Sequence, residues 1–110
     1  MADTLGTFEQ AVLLAILRLG DDAYGRAIMT DVRERLDREV AAGAVHATLE
    51  RLEQKRLVHS KLEAGTPIRG GRARRYYRLQ PAGAGALENA RHAVNALWRG
   101  IPRRLLEGMS

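Results

Sequence analysis

The sequence has no cysteine. This excludes a disulfide framework, a thiolate zinc site and a cysteine nucleophile. Serine is scarce as well. Ser60 and Ser110 are the only two, and neither lies in a nucleophile-elbow context. The three histidines, His46, His59 and His92, form no His-x-His or Glu-x-x-His pair, so no metal site is expected. No glycine loop has the phosphate-cradle pattern, so neither an enzyme nor a cofactor is expected. The longest apolar run, Ala11 to Leu17, is far short of the ~20 residues that span a bilayer, which argues against membrane insertion. Met1 leads into Asp3 and Glu9 instead of a basic and then apolar stretch. No signal peptide is read there, and the expected location is the cytoplasm.

What is present suits one modest domain. Apolar residues fill 45% of 110 positions, enough for a small core. Part of that share is alanine, so the core is expected to lean on a partner subunit. The net charge of +5 is unevenly spread. Residues 1–54 hold six bases and ten acids (−4), whereas residues 55–110 hold twelve bases and three acids (+9). Arg69, Arg72, Arg74, Arg75 and Arg78 crowd ten positions that contain no acid. Such a block points to a polyanion, most often nucleic acid. The bias of 16 arginines to 2 lysines is also what a GC-rich genome produces.

Apolar spacing predicts the elements. Phe8, Val12, Ile16 and Leu19 predict a helix over 7–19, opened by a Thr7/Gln10 capping box and stopped at Gly20. Ile28, Val32 and Leu36 predict a second helix over 23–36, capped by Asp22, with a solvated charged face. Val45, Leu49 and Leu52 predict a third over 42–55, which turns His46, Glu50 and Arg51 outward. Only residues 37–41 separate the last two helices, which resembles a helix-turn-helix. Residues 57–62 and 73–79 read as strands of a β-hairpin around a Gly/Pro-rich loop. That places the basic block on the loop tip and returning strand. Pro81 opens a final helix to about residue 100. Its seam of Leu87, Ala90, Val94, Leu97 and Ile101 is spaced 3, 4, 3, 4 and is expected to hold a dimer.

This order predicts a mainly α fold with a small β wing: a winged helix-turn-helix plus a C-terminal dimerisation helix. Residues 1–80 form the DNA-binding part and residues 81–110 the dimerisation helix and tail. The third helix suits a major groove about 12 Å wide, and the wing suits the adjacent phosphates or minor groove. The stretches 13–20 (LLAILRLG), 22–25 (DAYG), 43–53 (GAVHATLERLE) and 71–83 (GRARRYYRLQPAG) resemble the PadR family of transcriptional regulators in its short form. The resemblance implies a homodimeric winged-helix regulator of double-stranded DNA, usually a repressor, and often one that answers small aromatic or drug-like molecules. It departs from the family pattern at His46-Ala47, where Tyr-Pro is usual, at Ala41, where a capping serine is usual, and at Gln80, where a capping threonine is usual.

The expected DNA contacts are Tyr24, His46, Thr48, Arg51, Arg69, Arg72 and Arg74. Arg51 reads equally as a partner of Glu50 or Glu53, and Arg75 as a partner of a domain acid. His46 reads as a pH-sensitive or altered contact, or as an ordinary phosphate-contacting or solvated histidine. Tyr76 and Tyr77 read as packing residues or base stackers. Leu13, Leu17, Val94 and Trp98 are the expected effector-pocket residues, with Trp98 also readable as interface filler. The competing reading is a winged-helix dimer that serves as a protein-interaction module or a ligand-blind regulator, with a membrane or protein partner.

Overall fold

The structure, a computed structural model, describes residues 5–109 without the side chain of Arg69. A contact from the Arg69 side chain therefore lies outside the described residues. The elements follow in the order α1 (Thr7–Leu19), a 3-10 turn (Gly20–Asp22), α2 (Gly25–Leu36), α3 (Ala42–Gln54), β1 (Val58–Glu63), β2 (Arg74–Leu79), α4 (Pro81–Trp98) and a short α5 (Arg104–Glu107). The chain is mainly helical, with one antiparallel hairpin whose register runs from Val58 opposite Leu79 to Glu63 opposite Arg74.

The three N-terminal helices close over one core. Val12, Leu13, Ile28, Val32, Leu49 and Leu52 are its largest fully buried side chains. Each contributes about 1.5–3 kcal/mol by leaving water. The hairpin adds Val58 and Tyr77, and α4 adds Ala90. Among the described residues no helix is long and apolar enough to cross a membrane.

The helix starts differ from the local signals. At α1 the cap is Gly6, whose amide donates to the Glu9 carboxylate at 3.1 Å, and Gln10 Nε2 reaches the Leu5 carbonyl instead. Thr7 is the first helical residue, one position too late to cap. At α2 the cap is Tyr24 and not Asp22, because Ala23 and Tyr24 are drawn into extended pairing with β2. The α2–α3 turn is shaped by Asp37, in the left-handed region at φ 51°, and by Arg33, whose guanidinium donates to the Val40 carbonyl at 3.0 and 3.2 Å. Arg33 thus clamps the turn and does not belong to a solvated face.

The C-terminal seam divides in two. Ala90 is buried and Leu87 packs against the core, so both belong to the subunit's own interior. Beyond Ala90 every described residue is exposed, including Val94, Leu97, Trp98 and Ile101. A 3, 4 spacing identifies an apolar face without telling which surface it meets.

Candidate nucleic-acid interface

The start of α2, the outer face of α3 and the returning strand enclose a groove of about 530 Å³. Met29, Val45, Leu49 and Tyr77 give it an apolar floor. Arg26 from α2, His46 from α3, and Arg72, Arg74 and Arg75 from the wing supply its polar walls, and no acid lines it. The groove also takes in Ala42, the first residue of α3, a helix with no side-chain cap at its start. Loss of the usual serine at Ala41 leaves the first amides of α3 open to an anion, which the helix dipole favours there.

Backbone pairing and aromatic packing fix the wing against α2. Tyr77 N–H donates to the Ala23 carbonyl at 2.8 Å, and Tyr24 forms an isolated antiparallel bridge with Tyr76. The two tyrosine rings meet edge to face at 5.7 Å, and the Arg74 guanidinium lies 4.0 Å from the Tyr24 ring centre. Arg74 is thereby held by a cation–π contact at the groove wall.

A second link joins the wing to α3. The Ser60 hydroxyl donates to the Glu53 carboxylate (2.7 and 2.9 Å) and accepts from Arg75 Nη1 at 3.0 Å. Ser60 is itself buried. One hydroxyl therefore connects the last turn of α3 to both strands. Burial pushes the neighbouring Tyr77 phenol above its ordinary value, Arg75 opposes the shift, and Glu53 and Glu50 add to it, so the ring stays neutral.

The residues expected at the interface fall into distinct places. His46 is exposed at the groove and pairs with Glu50 through Nε2 at 3.2 Å. Tyr24, Arg72 and Arg74 also line the groove. Thr48 does not, being only 3% exposed. Its hydroxyl accepts from Arg51 at 3.4 Å. Arg51 is turned toward α1, where its Nε lies 3.6 Å from Glu9 Oε2 beside Lys55 Nζ at 3.5 Å. Glu9, 42 residues away in sequence and outside any local pattern, draws Arg51 off the groove, not Glu50 or Glu53. Of the expected effector residues, Leu13 is sealed in the core, whereas Leu17, Val94 and Trp98 are exposed. Arg26 and the Glu53–Ser60 link escaped the sequence reading. Arg26 sits in an alternating charge pattern that reads as solvated, and residues 53, 60 and 75 share no helical or strand period. Among the described residues no group of three His, Asp or Glu side chains gathers to hold a metal.

A helix-turn-helix with a basic wing and an acid-free groove defines a winged-helix DNA-binding protein. The model of the transcriptional regulator PadR-like family matches residues 13–89. The chain belongs to this family of transcriptional regulators, which are not enzymes. It is 37% identical to the transcriptional regulator Rv3488 of Mycobacterium tuberculosis over 92 residues, covering 83% of this chain and 82% of that protein. A PadR family regulator from Clostridium difficile superposes with a TM-score of 0.65 at 26% identity, covering 96% of this chain and all of the other. Bordetella bronchiseptica BpsR, whose DNA binding is regulated by 6-hydroxynicotinic acid, shares the fold (TM-score 0.60, 18% identity, 99% of this chain and 83% of that one).

Proposed function

We propose that the chain is a cytoplasmic homodimeric repressor that reads a specific duplex with α3 and its wing, and that a small aromatic effector releases it. The observation that carries the DNA reading is the groove between α3 and the wing, with five basic side chains, an apolar floor and no acid. Its chemistry suits a sugar–phosphate strand flanking the major groove that α3 enters, with Arg26, Arg72, Arg74 and Arg75 toward phosphate. His46 stands at the groove edge in place of the family's tyrosine. Its contact with Glu50 places a carboxylate beside it, so it tunes the contact more than it anchors it. In this reading residues 1–80 hold the duplex and residues 81–110 join two subunits.

Support for the dimer comes from Val94, Leu97, Trp98 and Ile101, a run of large apolar side chains open to water in one chain. A second copy covering them gains about 1.5–3 kcal/mol for each one fully buried. Trp98 offers a flat indole beside that face, suited to stacking on planar ligands. The regulated neighbour from Bordetella is consistent with a small aromatic effector. A ligand favouring one spacing of the two α3 helices would shift the dimer between binding and non-binding states.

The test is selection of duplexes from a random-sequence pool, followed by titration of the recovered duplex and of scrambled DNA. Tighter binding to the recovered duplex, weakening steeply with salt, is expected. Equal affinity for both would remove sequence-specific regulation.

A further inference from the structure

Ile68 is 97% exposed, the most exposed large apolar side chain among the described residues. A single isoleucine in water is ordinary on a surface. Its setting is not. Ile68 is the middle residue of a one-turn 3-10 helix, Pro67–Arg69, at the apex of the wing. Two bonds fold that apex into a defined shape: Gly71 N–H donates to the Thr66 carbonyl at 2.7 Å, and Gly70 N–H to the Pro67 carbonyl at 3.1 Å. Behind them the loop is cinched at its neck. A Cβ on Gly65 would lie 2.0 Å from the Gly71 carbonyl oxygen, so only glycine lets the two sides approach. Pro67 restricts the backbone just before Ile68. The side chain is thus held out on a shaped point.

Positions 64–73 contain arginines and no acid, so a polyanion attracts this point. In the DNA-binding reading above, α3 lies in the major groove, and the wing beside it has the adjacent minor groove within reach. That groove is about 6 Å wide, too narrow for a helix but wide enough for one branched aliphatic side chain. Its A·T floor carries no amino group, whereas guanine projects its 2-amino group into it. Isoleucine is also among the side chains that wedge between minor-groove base steps.

We infer that Ile68 is a specificity-determining residue: its side chain enters the minor groove beside the α3 site and selects A·T over G·C there. The inference rests on the DNA-binding reading above. The test uses the duplex recovered from the random pool, with wild type, Ile68→Ala and Ile68→Leu. Wild type should lose affinity when the A·T steps flanking the α3 site become G·C. It should recover when inosine, which lacks the 2-amino group, replaces guanine. Ile68→Ala should bind the A·T duplex roughly tenfold more weakly, the value of an aliphatic side chain returned to water. It should no longer distinguish the flanks, while Ile68→Leu keeps both properties. Equal thermal unfolding of the three proteins is expected, since the tip supports no core. Unchanged affinity and flank preference in Ile68→Ala, with wild type binding tightly, overturns the inference and leaves DNA binding standing. Failure of wild type to retain any duplex overturns both.

Discussion

Replacing Gly83 with alanine should destabilise the chain, although helix propensity alone says the reverse. Gly83 lies in the first turn of α4, where alanine is favoured by about 1 kcal/mol. A Cβ built there, however, sits 2.2 Å from the Leu57 carbonyl oxygen and 2.7 Å from Leu79 Cδ1. The leucine methyl can rotate away but the carbonyl cannot. An ordinary carbon–oxygen contact is ~3.3 Å, so α4 must retreat by about 1 Å. The same carbonyl accepts the Gln80 amide at 2.9 Å, so the retreat also loosens the bond that seats the helix on the hairpin. Overpacking costs about 1–3 kcal/mol and a weakened hydrogen bond about 1. After the propensity gain the net loss is about 1–3 kcal/mol, or roughly 4–12 °C in Tm for a chain of this size. Gly85, two residues on, has nothing within 4 Å of the corresponding position. Gly85→Ala should therefore stabilise by about 1 kcal/mol. Urea unfolding followed by circular dichroism, at one protein concentration, measures both. Shifts of the same sign would refute the steric reasoning.

Three further outcomes follow from the polar links and the exposed helix. Ser60→Ala should lower the urea midpoint by the equivalent of about 1–2 kcal/mol, because Glu53 and Arg75 lose the hydroxyl between them; an unchanged midpoint would make the link idle. Burial pushes the Glu9 carboxyl up, but the Gly6 amide and the cations of Lys55 and Arg51 outweigh it and hold the group below its ordinary 4.5. A depressed carboxyl stabilises the fold above its unfolded value, so this contribution should fade as pH falls below 4.5 and be missing from the pH profile of Glu9→Gln. Leu97→Asp should yield a monomer by sedimentation and remove any concentration dependence of Tm; a persistent dimer would mean that subunits join elsewhere.

The elements were legible because each carries its own period: the three N-terminal helices and both strands lie within one or two residues of where the apolar spacing puts them. The start of α2 was not. Asp22 is a sound local cap, but the pull of Tyr77 and Tyr76 on Ala23 and Tyr24 delays the helix, and that pull comes from more than fifty residues away. The basic wing was legible from charge alone. Its attachment to α3 was not, since Glu53, Ser60 and Arg75 become neighbours only once the hairpin folds back. Thr48 shows the limit of a helical wheel. It shares the recognition helix with His46, but two residues of rotation carry it into the core. Gly83 and Gly85 look alike in sequence as weak helix formers, and only the packed hairpin distinguishes a required glycine from a dispensable one.

If the chain holds DNA as proposed, the groove between α3 and the wing takes the phosphate strand. This is tested by the salt dependence of duplex affinity for wild type, Arg72→Ala and Arg104→Ala, the last a cation outside the groove. Each lost phosphate contact should flatten the log–log slope by about 0.9. Arg72→Ala should show that flattening together with weaker binding, and Arg104→Ala should keep the wild-type slope. Identical slopes for all three proteins would contradict that placement of the strand.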